Sequence, residues 1–390
     1  MSVVLTLNAG SSSLKFAVFD AAGTEAPPAI RGAIDRIGDA PHLQARDAAG
    51  KDLADRRWPH GCDQDTMLHD LLDWVTAQLG HDRLAAVGHR VVHGGRRFSA
   101  PVRVNEDVLR QLDALTFLAP LHQPHNLAPI RAMAALRPDV PQVACFDTAF
   151  HHGMPEVATR LALPQELTAQ GLRRYGFHGL SYEFVAARIG QLSPRLAAGR
   201  TVVAHLGNGA SLCALRAGRS IDTTMGFSTL DGLMMGTRCG ALDPGAMLFM
   251  QQALHMDAAA IEQALYHRSG LLGVSGISGD MRALRADDSG PAKAAIELFV
   301  HRLLREVAAM AASLRGIDGL VFTAGIGEHD TALRAAACDG LQWLGVSLDR
   351  DANQAAPGRI SASASGVEVW VIATDEEAII ARHTIATVAT

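Results

Sequence analysis

Residues 7–16 read LNAGSSSLKF and stand between the apolar run VVLTL at 3–7 and the alternating run FAVFD at 16–20. A hairpin turn is one interpretation, since Asn and Gly tolerate positive φ and Ser bonds nearby backbone. Such a turn needs about two residues, whereas six small residues lie here in front of Leu14 and Lys15. Hydroxyls, backbone N–H groups and a cation together favour a second interpretation, a cradle for an oxyanion such as phosphate.

The same pattern occurs again further along the chain. VVAHLGNGASLCAL at 202–215 repeats the apolar strand, the Gly/Asn/Ser turn and the second strand, with Ser211 and Leu212 in the places of Ser13 and Leu14. FTAGIGE at 322–328 is a further Gly-rich turn after a strand. Two copies of one phosphate-type hairpin predict two similar domains that face a cleft.

Strand-like and helical patterns alternate over the rest of the chain. The runs LAAVGHRVVH, QVACFD, GLVFTAG and VEVWVIAT predict further strands, and the alternation predicts an α/β fold. A helix is predicted from Asp65 to Gly80, with one apolar face made by Met67, Leu68, Leu71, Leu72, Val75 and Leu79.

Composition excludes several classes of protein. The 390 residues are 48% apolar and 19% charged, which predicts a globular protein of two domains. The net charge of -5 without a basic run argues against a nucleic-acid partner. MSVVLTLNAG lacks a basic leader, and the longest helical pattern carries charges from Lys293 to Glu306, so we expect no membrane span and a cytoplasmic location.

Familiar phosphate and nucleophile motifs do not account for the Gly-rich turns. The sequence contains no GxxxxGK[ST] and no GxGxxG, and GVSGISG at 273–279 falls short of GxSxG. A Walker loop, a dinucleotide fingerprint and a hydrolase elbow are therefore not predicted.

Two arginines are the first candidates for chemistry. Arg90 in GHRVVHGG and Arg238 in MGTRCG are predicted to lie in Gly-flanked turns beside apolar runs. A guanidinium offers a planar fork that suits carboxylate or phosphate oxygens, whereas the alternative is a surface ion pair.

Acidic and histidine side chains are further candidates. Asp147 ends QVACFD, where it would lie at the carboxyl edge of a strand or cap the following segment. Thr374 to Glu377 reads as a TxxE capping box that uses Glu377 and leaves Glu376 outside the cap. The His122-x-x-His125 pair has no third ligand nearby, so zinc is not expected.

An ordered set of motifs resembles the acetate kinase family, which comprises ATP-dependent short-chain acyl kinases of the actin, sugar kinase and Hsp70 superfamily. The resemblance runs from residue 3 to the 380s and rests on NAGSSSLK, GHRVVHGG, CFDTAFH, YGFHG, HLGNGAS, MGTRCG, LDPG, SGISGD, FTAGIGE and TDEE. It implies duplicated actin-like (ribonuclease H-like) domains around a central cleft. The first would comprise residues 1–150 with a returning C-terminal helix at about 374–390, and the second residues 151–373, in a homodimer.

The resemblance also implies an activity. We expect a reversible acetate kinase that uses Mg²⁺, with Mn²⁺ as an alternative, and makes acetyl phosphate and ADP from acetate and ATP by direct in-line attack of the carboxylate. A propionate or other short-chain acyl kinase is the alternative within this class. An ATP-driven conformational protein of the same superfamily is the alternative outside it, although such a protein would not need the two acyl-binding arginines.

Site residues follow from the matched motifs. The resemblance implies catalytic roles for Arg90, His122, Asp147, His178 and Arg238, and an acyl pocket of Arg90, Val92, Leu121, Phe177 and Thr229. It implies ATP contacts from Ser11, Ser13, Lys15, His205, Leu206, Gly207, Asn208, Gly209, Asp280, Met281, Arg282, Gly325, Ile326, Gly327 and His329. Asn8 and Glu376 would bind the metal ion.

Several positions depart from the family pattern. MTPxEG is replaced by FSTLDG at 227–232, RSGD by RCGA at 238–241, and GIGEN by GIGEH at 325–329. TNEE is replaced by TDEE at 374–377, and HGTSH by HGLSY at 178–182. All the implied Arg, His, Asp and Glu side chains of the chemistry remain, so we expect activity.

Overall fold

The structure is a computed structural model that describes residues 2–10, 13–60, 62, 64–80 and 83–390. The chain folds into two compact units. The first contains the chain up to Phe150 together with Asp375–Thr390, and the second contains His151–Thr374.

The described strands are β1 Ser2–Ala9, β2 Ser13–Asp20, β3 Ile30–Asp35, β4 His42–Asp47, β5 Asp52–Arg57, β6 Arg83–Val91, β7 Val102–Arg103, β8 Gln142–Phe146, β9 Arg200–Leu206, β10 Ala210–Arg216, β11 Arg219–Thr223, β12 Gly319–Thr323, β13 Gly358–Arg359 and β14 Glu368–Val371.

The described α-helices are α1 Gln64–Leu79, α2 Glu106–Asp113, α3 Gln123–Leu136, α4 Glu156–Thr159, α5 Gln165–Ala169, α6 Gly179–Leu192, α7 Pro194–Ala198, α8 Pro244–Gln252, α9 Ala258–His267, α10 Gly270–Ser275, α11 Met281–Arg285, α12 Gly290–Leu314, α13 Ala324–His329, α14 Thr331–Gly340, α15 Arg350–Ala355 and α16 Glu376–Val388.

Each unit is built on a mixed sheet, and the two sheets share one topology. The order in the first unit is β5-β4-β3-β2-β1-β6-β8-β7, and in the second it is β11-β10-β9-β12-β14-β13. In both, a central strand pairs antiparallel with its hairpin partner on one side and parallel with a later strand on the other. The series β3-β2-β1-β6-β8 therefore corresponds to β11-β10-β9-β12-β14, and the predicted duplication is confirmed.

Apolar sequence accounts for the central strands. Every residue of β8 and β12 is buried, as expected for strands covered on both faces. Helix α16 packs on β1, β6 and β8 of the first unit. A Cβ at Gly88 in β6 would lie 2.2 Å from Oγ1 of Thr384, so this glycine allows the helix to approach the sheet.

The helix predicted from Asp65 to Gly80 is confirmed. It is α1, whose Met67, Leu71 and Val75 are buried in the core of the first unit, and Gly80 follows it with a positive φ of 55°. FTAGIGE differs from the prediction, because its residues after β12 form the short helix α13 instead of an open turn. No helix in the described part of the chain has the length and apolar character needed to cross a membrane.

Candidate active site

Three neighbouring strands of the first unit bring predicted site residues to one edge of its sheet. Asn8 lies near the end of β1, Arg90 near the end of β6, and Asp147 directly after β8. Because β1, β6 and β8 run parallel, their carboxyl ends meet at the same edge. The near-continuous apolar runs of β1, β6 and β8 bury these strands, and the polar residues at their ends therefore meet at this edge.

Arg90 and Asp147 form a bidentate ion pair. Nε of Arg90 donates to Oδ1 of Asp147 over 2.9 Å, and Nη2 donates to Oδ2 over 2.5 Å. The Arg90 side chain is 18% exposed and that of Asp147 is 1% exposed. The predicted Gly-flanked turn around Arg90 is wrong, because this residue lies within β6, and a strand holds the guanidinium more rigidly than a turn would.

The charge of Arg90 is fixed by its surroundings. Burial acts to lower the pKa of Arg90, but the charges of Asp147, Glu376 and Glu377 outweigh it and raise the pKa above its ordinary value. Nη1 of Arg90 lies 3.4 Å from Oδ1 of Asn8. The fork thus carries a permanent positive charge beside an amide and three carboxylates.

The predicted capping box at the start of α16 is wrong. Asp375 is the N-cap, and its Oδ1 accepts from the backbone N–H of Ala378 over 3.0 Å. Glu377 is instead buried, and Nδ2 of Asn8 donates to both Glu376 and Glu377 over 2.9 Å. Because Asp375 is an N-cap residue in its own right, Glu377 is released for the site.

Glu377 is held in an environment that resists its ionisation. Burial raises the pKa of Glu377, and the nearby charge of Glu376 acts in the same direction against the hydrogen bond from Asn8 and the charge of Lys15. Lys15 lies opposite Asn8 in the β1–β2 register and is exposed. Ser13 begins β2, and its carbonyl accepts from Gly10 N over 2.7 Å, while Ser11 lies outside the described residues.

The remaining predicted residues of the first unit lie around α3. His122 is the N-cap residue of this helix, Leu121 before it is half-buried, and Val92 is buried. Asn126 was missed by the sequence reasoning: its Oδ1 accepts from Val92 N over 2.8 Å, and its Nδ2 donates to Ala9 O over 2.6 Å. It thereby ties the predicted acyl-pocket residue Val92 to the end of β1.

In the second unit, the hairpin of β9 and β10 carries the predicted phosphate loop and is called the phosphate hairpin below. Gly207 N donates to Gly209 O over 3.1 Å, which leaves Asn208 at the tip. Leu206, the last residue of β9, is fully buried. A Cβ at Gly236 would lie 2.1 Å from Oδ1 of Asn208, so the glycine at 236 makes room for that side chain.

Two histidines stack beside this hairpin. The rings of His178 and His205 have centroids 4.1 Å apart with an interplanar angle of 15°. Nδ1 of His178 lies 2.9 Å from Oγ of Ser211, and Nδ1 of His205 lies 2.8 Å from Oγ of Ser181. His178 adopts a left-handed φ of 56° at the N-cap of α6, which turns its ring toward the hairpin.

Arg238, Thr229 and Phe177 also belong to the second unit. Nη1 of Arg238 donates to the Thr229 carbonyl oxygen over 2.9 Å. Thr229 is buried, and Phe177 is only 1% exposed. A Cβ at Gly209 would lie 3.6 Å from Nη2 of Arg238 and 3.5 Å from Nε2 of His178, so both side chains approach the same point of the hairpin.

A cavity of about 720 Å³ in the second unit collects most of the residues predicted for ATP. Its lining includes Gly207, Asn208, Asp280, Met281, Arg282, Gly325, Ile326 and His329. Gly327 is not among its lining residues, and its carbonyl accepts from Nη1 of Arg334 over 3.0 Å. A volume of this size suits a nucleotide-sized ligand.

The cavity has four lining residues that the sequence reasoning missed, namely Gly279, Arg285, Asp330 and Thr331. Nε of Arg285 donates to Oδ2 of Asp330 over 3.1 Å, and Oδ1 of Asp330 caps α14 by accepting from Leu333 N over 2.8 Å. The position of Asp330 between two helical patterns was the signal that could have revealed it.

Comparisons with known proteins cover nearly the whole chain. The acetokinase family profile matches residues 3–382. The acetate kinase of Rhodopseudomonas palustris (strain ATCC BAA-98 / CGA009) is 54% identical over 388 residues, which cover 98% of this chain and 97% of that protein.

Solved structures give the same result for the fold. A propionate kinase from Francisella tularensis matches with a TM-score of 0.90 and 37% identity, over 98% of this chain and 99% of that one. An acetate kinase from Porphyromonas gingivalis matches with a TM-score of 0.86 and 34% identity, over 100% of both chains. The predicted α/β class and actin-like architecture are confirmed. This chain belongs to the acetokinase family.

Proposed function

We propose that this protein is an acetate kinase, which transfers the γ-phosphoryl group of ATP reversibly to the carboxylate of acetate. The observation that carries the proposal is the cavity of about 720 Å³ in the second unit, where eight of the residues matched to the family's ATP site come together. The relative from Rhodopseudomonas palustris supports acetate as the acceptor.

The phosphoryl transfer depends on fixed positive charges and hydrogen-bond donors more than on proton transfer. A carboxylate is already ionised at neutral pH, so one of its oxygens attacks the γ-phosphorus while the bond to the β–γ bridging oxygen breaks and ADP leaves. No base is required. The barrier comes from bringing anionic groups together, and preorganised donors lower it.

The arginines and His178 would supply these donors. We assign the acetate carboxylate to Arg90, whose fork Asp147 holds in place through the bidentate pair. We assign the transferring phosphoryl to Arg238 and to an imidazole N–H of His178, because both approach Gly209 of the phosphate hairpin. His122, the N-cap residue of α3, would be a further donor. The family resemblance assigns the methyl group of acetate to Val92 and Leu121 in the first unit and to Phe177 and Thr229 in the second.

The residues around Asn8 fit a magnesium ion. Mg²⁺ binds oxygen ligands, usually one or two carboxylates with waters and substrate phosphates. Glu376 offers a half-exposed carboxylate that Asn8 orients. The described residues hold no group of three His, Cys, Asp or Glu side chains that could bind a metal, so an ion here would take its other ligands from water and substrate phosphates. We propose Mg²⁺ at Asn8 and Glu376, with Mn²⁺ as a substitute. Such an ion would neutralise negative charge on the phosphate oxygens of ATP.

Propionate is the second candidate acceptor. The solved structure with a TM-score of 0.90 is described as a propionate kinase. One added methylene in an apolar pocket changes discrimination by only about 1–3 kcal/mol. We therefore expect both acids to react, with acetate preferred.

We also propose a homodimer in which a second copy of this chain covers α8. No residue of α8 is buried, although the structure describes this helix in full, and Phe249 on it is 58% exposed. Met247 and Leu248 beside it are exposed as well. Exposed apolar patches of this kind mark interaction surfaces. Light scattering should give twice the 41.3 kDa chain mass, and Phe249→Glu should give the monomer mass.

A hydroxamate assay tests the proposed reaction. Purified protein with acetate, ATP, MgCl₂ and hydroxylamine should form acetyl hydroxamate, and chelation of magnesium should stop it. ATP hydrolysis that is insensitive to acetate, without hydroxamate, would instead favour the ATP-driven conformational protein. Hydroxamate formed faster from propionate than from acetate would change the acceptor and keep the reaction class.

A further inference from the structure

Two buried hydroxyl groups lie behind the imidazole of His178. Oγ of Ser211 on β10 is 2.9 Å from Nδ1 of His178, and the phenol oxygen of Tyr182 is 2.5 Å from the same Oγ. Ser211 and Tyr182 are both fully buried. Tyr182 lies one turn after His178 on α6, where its backbone N–H donates to the carbonyl of His178 over 3.0 Å.

The direction of these hydrogen bonds follows from the phenol. Burial raises the pKa of Tyr182 well above its ordinary value, so its hydroxyl keeps its proton. Across the part of the chain that the structure describes, Oγ of Ser211 is the one acceptor within reach of that proton. If Ser211 donated instead, the Tyr182 hydroxyl would be a buried donor without an acceptor, which is the more costly arrangement.

A hydroxyl carries one proton, so the direction continues to the imidazole. Ser211 accepts from Tyr182, and among the described residues Nδ1 of His178 is the acceptor within reach of its own proton. Ser211 therefore donates to Nδ1, because the alternative leaves a buried hydroxyl proton without an acceptor. A neutral imidazole that accepts at Nδ1 carries its proton at Nε2. Nε2 is the atom that approaches Gly209 of the phosphate hairpin, 3.5 Å from the position of a Cβ there.

We propose that Tyr182, acting through Ser211, is a positioning residue that holds His178 as the Nε2–H tautomer and so aims an N–H donor at the phosphate hairpin. This inference rests on the proposed function for its kinetic consequence, whereas the tautomer follows from the hydrogen bonds and from the burial of Tyr182.

Tyr182 is one of the positions at which this chain departs from the family pattern. The family pattern HGTSH has a histidine where this chain has Tyr182. An imidazole in that place can donate or accept according to its own tautomer, whereas a neutral phenol with one acceptor must donate. The substitution therefore removes an ambiguity from the hydrogen bonds behind His178.

Nitrogen NMR tests the tautomer directly. In protein with ¹⁵N-labelled histidine, long-range ¹H–¹⁵N spectra at pH 7.5 should show His178 with Nδ1 unprotonated and Nε2 protonated, the signals being assigned by their loss in His178→Asn. In Tyr182→Phe the two ¹⁵N shifts should move toward each other as the tautomers mix. Tyr175→Phe is the matched control, because it removes another buried phenol hydroxyl that donates to Gly171 O over 3.1 Å.

Kinetics test the consequence. Tyr182→Phe and Ser211→Ala should each lower kcat on the order of tenfold, less than the roughly 10²- to 10³-fold cost of losing one charge-stabilising donor outright, with KM for ATP within about twofold. The double variant should be no slower than either single variant, because both break one chain of hydrogen bonds. Tyr175→Phe should keep kcat.

The results that would overturn the inference differ from the result that would overturn the proposed function. A protonated Nδ1 in the unaltered protein, unchanged His178 shifts in Tyr182→Phe, or additive losses in the double variant would overturn the inference. Absence of acetyl hydroxamate from the unaltered protein would overturn the proposed function, while the NMR result would still decide the tautomer. If Tyr182→Phe does not fold, the spectrum of the unaltered protein and the Ser211→Ala variant decide the matter.

Discussion

At the scale of single residues, the partners of a side chain determine how its removal affects activity and stability. Arg90 holds Asp147, which is 1% exposed, through two hydrogen bonds, whereas Arg238 donates to a main-chain carbonyl. Removing Arg90 therefore leaves a buried carboxylate without its cation. Truncation of Arg90 should therefore lower stability as well as activity.

We predict that Arg238→Ala lowers kcat by roughly 10²- to 10³-fold, because one charge-stabilising donor is lost. Arg90→Ala should lower kcat as much and also destabilise the fold by on the order of 3 kcal/mol. Hydroxamate rates and thermal melts measure both effects, with the exposed Arg97→Ala as control. Near-normal turnover in either variant would remove that arginine from the site.

The acyl pocket gives a second prediction at this scale. Thr229 stands where the family pattern has proline, and its carbonyl accepts from Arg238 over 2.9 Å. Thr229→Pro keeps this carbonyl, stiffens the backbone and removes a hydroxyl from the wall of the proposed acyl pocket. We predict that the variant raises the ratio of kcat/KM for acetate over propionate. A ratio that stays the same or falls would show that Thr229 does not shape the pocket.

At the scale of elements, the first turn of α16 separates capping from chemistry. Asp375 caps the helix, while Glu376 and Glu377 both accept from Asn8. Glu376 is half-exposed and Glu377 is buried with a raised pKa, so the two carboxylates differ in their access to solvent. Three adjacent acidic residues therefore have three distinct environments.

We predict that Asp375→Ala costs about 1 kcal/mol of stability through the lost cap and leaves magnesium affinity unchanged. Glu376→Gln should raise the magnesium concentration needed for half-maximal rate, because it removes the accessible carboxylate. Magnesium titrations and thermal melts of the two variants distinguish these effects. A weakened magnesium response in Asp375→Ala with a normal one in Glu376→Gln would reverse the assignment.

At the scale of the whole molecule, the sequence predicted the architecture better than the local detail. The repeated hairpins predicted a duplicated α/β fold because strand pairing and chain order are encoded in apolar periodicity. The role of Glu377 was predicted wrongly, since the TxxE pattern is equally compatible with a helix that Asp375 caps. The contacts of Asn126, Asp330 and Ser211 became visible only in the structure, because they join segments that are distant in the sequence.

The stability of the whole molecule should depend on buried neutral histidines. Burial lowers the pKa of His89 to about 3 and those of His93 and His151 to about 4. The first two lie in the first unit and His151 in the second. In the unfolded chain the same groups have a pKa of about 6.5. Between about pH 6.5 and 4 the unfolded state therefore binds more protons than the folded state.

We predict that the free energy of unfolding is highest above about pH 6.5 and falls as the pH decreases toward 4, by about 1.4 kcal/mol per pH unit for each histidine that stays neutral only in the folded state. Melting temperatures at pH 7.5, 6 and 5 measure this fall. His89→Leu should make it shallower, since the variant lacks a buried group that protonates on unfolding, whereas the exposed His301→Gln should not. Equal slopes for His89→Leu and the unaltered protein would mean that His89 is protonated within the fold.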